Sequence, residues 1–195
     1  MDSDLTQPLR LNWVGPFAWP GFEAENGLQP LPSISGVYLQ TFRHRKEFAV
    51  YAAGITRRPV AVRFREHTRK YLKGEYTVLH VPSAERGIRR EIWHGWAYAR
   101  SHPQEFTNRQ SEIVEAVRRQ LASFRIFVAD PGRDRRLLAR LEARIMSLLY
   151  DQSPPLSELP DRGMSLAPRR PAESPIPVTS HSLCRLLAIP RLFDA

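Results

Sequence analysis

The stretch SGVYLQTFRHRKEFAVYAAGIT, residues 35–56, constrains the fold more than any other part of the chain. Two runs of apolar, branched and aromatic residues flank the charged RHRK at 43–46, a pattern that predicts a β-hairpin with a polar turn. In the first strand, period-two alternation puts Val37, Leu39 and Thr41 on one face and Tyr38, Gln40 and Phe42 on the other. The second strand is expected over about 47–53. A helix follows at once: residues 58–73 place Pro59 in the first turn and Gly74 at the stop. A hairpin feeding a helix in this way points to an α+β domain.

The rest of the chain fills in that frame. EYTVLHV at 75–81 has strand propensity, and residues 85–102 read as a helix broken near Gly95. Between 108 and 122, Ile113, Val117 and Leu121 recur at helical spacing; FRIFVAD at 124–130 is a strand, and 133–150 is the last long helix. Residues 1–33, rich in Pro, Trp and Gly, show neither period and predict an irregular leader whose aromatics cover part of the core. Beyond Gln152 the proline-rich SPPLSELPDRG and APRRPAESPIP predict an arm, with LCRLLAIPRLF docking as a short terminal segment. The expected architecture is a small antiparallel sheet flanked by helices over 34–152, with a leader at 1–33 and an extension at 153–195.

Composition narrows the function classes. Lys and Arg number 29 against 20 Asp and Glu, a net charge of +9, so a polyanion is the natural partner. The single cysteine, Cys184, cannot build an internal disulfide or a thiolate zinc site. The acidic, polar start lacks the pattern of a signal peptide, and no apolar run approaches the ~20 residues that span a bilayer. A cytoplasmic protein with no membrane partner is expected.

Two helices carry polar groups where a core stripe is due. Arg63 and His67 stand one turn apart with Val60 and Tyr71 extending their row. On the last helix Leu138, Glu142, Ile145 and Leu149 put a carboxylate on or beside the buried stripe. Singly, each has an ordinary explanation: Glu142 pairing with Arg63, Arg140 or Arg144, and His67 and Tyr38 as satisfied core residues. Trp93 and Trp96, three residues apart, read as core packing in preference to base stacking.

Taken in order, the set resembles the GIY-YIG endonuclease superfamily. GVY at 36–38 is similar to its first motif and YAAGIT at 51–56 to its second. Arg63 and His67 match its helix-borne pair, and RLLARLEARI at 136–145 the late helix that presents a metal-binding Glu. The resemblance covers about 35–150, with 75–120 as an insertion. Where the family has Tyr two residues before the Gly, this chain has Ala52, with Tyr51 one step earlier; strand alternation turns Tyr51 to the opposite face unless a bulge re-aims it. Asp161 in PDRG is the nearest polar counterpart of the family's Asn after the Glu helix.

The resemblance implies a metal-dependent endonuclease. Tyr38, Tyr51, Arg63, His67 and Glu142 would be catalytic, with Glu142 holding one Mg²⁺ or Mn²⁺. Gly54 would turn the chain off the strand and leave room for the phosphate, while Arg57, Arg58 and Lys70 would form a basic rim for double-stranded DNA. Cutting both strands of a palindrome would call for a two-fold homodimer. The alternative is a module that binds nucleic acid or protein on the same scaffold without turnover.

Overall fold

The structure is a computed structural model and describes residues 8–195. Strand β1 (Leu9–Phe17) and the short helix α1 (Glu23–Asn26) precede the hairpin of β2 (Gly36–His44) and β3 (Glu47–Thr56), which leads into α2 (Val60–Leu72). A run of short elements follows: β4 (Val78–Leu79), α3 (Val81–Ala84), β5 (Glu91–Trp93), α4 (Trp96–Ser101), α5 (Pro103–Asn108) and then the longer α6 (Gln110–Ser123). Then come β6 (Arg125–Ala129), α7 (Arg135–Tyr150), β7 (Pro177–Ser182), β8 (Leu186–Leu187) and β9 (Leu192–Asp194). Among the described residues, no helix is long and apolar enough to cross a membrane.

The sheet is not the small antiparallel one expected. Seven strands join in the order β8-β3-β2-β6-β1-β7-β9, and the sheet is mixed, because β1 pairs with β7 and β3 with β8 in parallel. Its extra strands come from the two segments read as irregular. Within the leader, Leu11 and Trp13 are buried while Arg10, Asn12 and Val14 face outward, an alternation that the surrounding Pro and Gly obscure. Residues 1–7 of the expected leader lie outside the described residues. The C-terminal extension supplies β7, β8 and β9, and Leu9↔Val178 is one of the pairs that close the far side of the sheet.

Chain length forces this sheet to curl. β7 and β8 stand five places apart, which in a flat sheet is about 24 Å at about 4.8 Å per strand. Yet only residues 183–185 link them, with a reach of about 14 Å. The sheet therefore bends into a half-barrel. Its concave side wraps α7 through Leu11, Val37, Leu39, Phe127, Leu141 and Ile145. The other side carries α2 and α6 over an aromatic layer that includes Trp19, Phe42, Phe64 and Phe124.

Two local departures from the expected elements position the site. The β2–β3 register jumps between Gln40↔Ala52 and Thr41↔Val50, so Tyr51 is the extra residue of a β-bulge. Residues 85–102 are not one interrupted helix: 91–93 pair with β4 as a strand, and helix begins only at Trp96. Trp93 is buried, and its indole donates to the Gly74 carbonyl at 2.7 Å, which ties β5 to the end of α2.

Candidate active site

Tyr38 and Gln40 leave β2 on the face that packs against α2, and each sits opposite a small residue of β3: Tyr38 pairs with Gly54 and Gln40 with Ala52. A Cβ on Gly54 would overlap the Tyr38 ring and hydroxyl. The glycine therefore seats the tyrosine inside the strand; the turn off the strand expected at Gly54 is not there, because β3 runs on to Thr56. Small residues on β3 let the longer β2 side chains extend over that strand.

Helix α2 meets them there. Its buried stripe is Val60, Phe64, His67 and Tyr71, and His67 Nε2 lies 2.8 Å from the Tyr38 hydroxyl. The other ring nitrogen, Nδ1, lies 3.1 Å from the Tyr76 hydroxyl. Burial, with the nearby charges of Arg63 and Lys70, lowers the His67 pKa to about 3, so the imidazole is neutral. Burial also pushes Tyr38 above the usual tyrosine range, against the pull of the nearby Arg63 charge. Arg63 pairs with Glu66 at 3.3 Å, while its Nε is buried without a partner.

Glu142 approaches from the concave side. Asp134 caps α7 by accepting from the Leu137 N–H at 2.7 Å, and Leu138, Leu141, Ile145 and Leu149 bury the helix against the sheet. Glu142 lies beside that stripe, near the backbone of Ile55 in β3. Burial raises its pKa to about 7, opposed by the Arg63 charge. A carboxylate so placed is half ionised near neutrality and gains from any cation that arrives.

Tyr38, Arg63, His67 and Glu142 line one cleft of about 110 Å³. So does Gln40, whose side-chain oxygen is buried and has no hydrogen-bond partner. Tyr51 lines it as well, because the bulge puts it and Ala52 in the same aromatic cluster as Tyr38, contrary to simple alternation. Its hydroxyl is committed to Asp161, to which it donates at 2.8 Å. Asp161 also accepts from Arg89 at 2.7 Å and from the Trp96 indole at 3.1 Å.

The proposed rim divides. Arg57 and Arg58 line an adjacent cleft of about 330 Å³ with Arg63 and Arg135, although Arg58 also pairs with Glu66 at 2.9 Å. Lys70 lines neither cleft; it is exposed, 3.6 Å from Glu75, with its ammonium over the Tyr76 ring.

Gln40, Tyr76, Trp96 and Arg135 belong to these clefts without having been assigned there from the sequence. For Gln40 a signal existed: it shares a strand face with Tyr38, two residues on. Tyr76 and Trp96 arrive on the irregular segment between α2 and α6, whose path no local periodicity reveals. Compared with protein-family models, with curated proteins and with solved structures, the chain matches none.

Proposed function

We propose that this chain is a divalent-metal-dependent endonuclease that hydrolyses DNA phosphodiester bonds with a GIY-YIG-type site. One observation carries the reading: a half-buried carboxylate with a raised pKa, Glu142, faces the same small cleft as the Tyr38–His67 pair and Arg63. Structural ion pairs do not need a tyrosine–histidine couple, and a tyrosine–histidine couple does not need an orphaned oxygen beside it. Metal-assisted hydrolysis of a phosphodiester would give each of them a role.

The donor set fits one hard cation. Glu142 offers a carboxylate and Gln40 an unpartnered amide oxygen, while no group of three or more His, Cys, Asp or Glu side chains converges among the described residues. Water and phosphate oxygens would have to complete the shell. When bound, such a cation supplies charge neutralisation at the non-bridging and leaving oxygens.

The chain's own residues do the rest. With its proton on Nδ1, shared toward Tyr76, His67 presents Nε2 as acceptor to the Tyr38 hydroxyl. Tyr38 can then take a proton from the attacking water as it passes its own to His67. No free phenolate has to form, which matters because burial opposes one. Charging His67 in its buried position is unfavourable alone, and the negative phosphorane forming nearby offsets it. Arg63, already in the cleft, meets that phosphorane with a planar pair of donors. Arg57, Arg58 and Arg135 in the adjoining cleft fit the flanking phosphates.

The test is cleavage of supercoiled plasmid in Mg²⁺ or Mn²⁺ and in EDTA. The parent should nick only with metal. Glu142→Gln should lose turnover by roughly a hundredfold or more, with DNA affinity in EDTA, read by fluorescence anisotropy, nearly unchanged. Failure of the pure parent to nick plasmid with either metal would overturn the reading and leave a binding module.

A further inference from the structure

A third cleft, of about 320 Å³, opens beside the one that holds Tyr38 and Glu142 and is lined by Arg89, Glu91, His94, Trp96, Asp161 and Arg162 among others. Trp96 and Asp161 line both clefts, so they form the wall between them. Whatever occupies this Trp96 cleft is a neighbour of whatever binds beside Tyr38 and Glu142.

Trp96 is held there in an unfavourable way. Trp93, three residues earlier, is a core residue, but Trp96 remains 37% exposed. Its backbone has φ +58°, a left-handed conformation that L side chains rarely adopt, and tryptophan gains nothing from it locally. Three contacts impose it. The Trp96 N–H donates to the Glu75 carbonyl at 2.9 Å, and its indole N–H donates to Asp161 at 3.1 Å. Gly95 lies so close to the Tyr76 backbone that no side chain fits there. The Tyr76 ring supports the indole, with centroids 5.1 Å apart.

A core does not require a strained, part-exposed indole, whereas a stacking platform does. The rest of the Trp96 cleft is polar and mixed: Arg89 pairs with the carboxylates of Glu91 and Asp161, His94 pairs with Glu91, and Arg162 reaches over the Tyr150 ring, so donors and acceptors stand side by side there. Both donors and acceptors are what the edge of a nucleobase presents, and a flat apolar ring is what its face prefers. A paired, stacked base cannot reach such a pocket; an extruded one can.

We infer that the Trp96 cleft receives a single unpaired nucleobase beside the reacting phosphate, so that the substrate is duplex DNA carrying a bulged nucleotide. The inference rests on the nuclease reading for the neighbouring cleft. It also assigns Trp96 to base stacking, where the sequence alone favoured core packing.

The test compares a fully paired duplex with the same duplex bearing one bulged nucleotide, by anisotropy in EDTA. The parent should prefer the bulged duplex by roughly tenfold, the scale of one stacked base. Trp96→Gly suits the left-handed backbone, so it should fold at least as well as an alanine variant, and it should bring the preference to within about twofold. Trp96→Phe keeps a flat ring and should retain most of it. With 5-iododeoxyuridine at the bulge, irradiation should crosslink the base to the peptide containing Trp96. Equal affinity of the parent for both duplexes, or a preference that survives in Trp96→Gly, would overturn the inference. Plasmid cleavage is scored separately: nicking without a bulge preference removes only the base pocket, and a Trp96-dependent preference without nicking removes only the nuclease.

Discussion

The two faces of the β2–β3 hairpin are built from adjacent residues yet obey different rules. On the concave face Val37, Leu39, Val50 and Ala53 join an aliphatic cluster against α7. On the other face Tyr38, Gln40, Tyr51 and Gly54 bring a hydroxyl pair, an unpartnered amide oxygen and a missing side chain to one cleft. The concave face buries methyl groups and gains from it; the cleft face buries polar groups, each of which costs stability unless a partner arrives. A strand two residues wide in its repeat can thus anchor a fold with one set of side chains and line a polar cleft with the other.

Variants on the two faces should therefore fail differently. Tyr38→Phe removes one oxygen and leaves the ring on Gly54. Turnover should fall by about 10²- to 10⁴-fold, the usual contribution of a positioned general base, with a melting curve close to the parent's. A Tyr38→Phe protein that cleaved at the parent rate would erase the distinction.

Leu39→Ala on the concave face should do the reverse. Leu39 is fully buried, so the loss should be about 2–5 kcal/mol in urea unfolding, with metal-dependent cleavage per folded molecule retained. Gly54→Ala couples the faces, because the added methyl overlaps the Tyr38 ring. A stability loss of about 1–3 kcal/mol together with reduced turnover is expected, since the ring must leave its seat.

The smallest effect sharpens the comparison by pH. The His67 pKa is lowered from 6.5 to about 3, so the fold disfavours its protonation. Its contribution to stability is complete above pH 6.5 and is lost as the pH falls toward 3. Glu142 runs the other way: its pKa is raised from 4.5 to about 7, so its contribution is complete below pH 4.5 and lost as the pH rises through 7. Melting temperatures in EDTA should show His67→Gln to be less acid-labile than the parent, relative to pH 7.5. Glu142→Gln should instead gain on the parent above pH 7. Parallel pH profiles for all three proteins would contradict the assigned protonation states.

What could be read from the sequence follows from how far apart the partners are. The hairpin, α2, α6, β6 and α7 were legible because their periods lie in windows of a dozen residues. The Tyr38–His67 pair belongs to the same local unit, a strand and the helix after its hairpin. The half-barrel was not legible, since β1 finds its outer neighbour in residues 178–182 and nothing near Leu9 announces it. The Tyr51 bulge is a choice of one register step, made by packing on both faces at once. Asp161, in a stretch that composition marks as a loose arm, is buried only because Tyr51, Arg89 and Trp96 all converge on it.

The parallel pairing of residues 9–13 with 178–182 has a consequence for biogenesis. A ribosome releases the early strand long before its mate exists, so a growing polypeptide carries an unsatisfied flank through most of translation. Until the later segment emerges, that flank is open to pairing with neighbouring nascent chains. Expression at lower temperature, or with a chaperone that shields exposed strands, should raise the yield of soluble product.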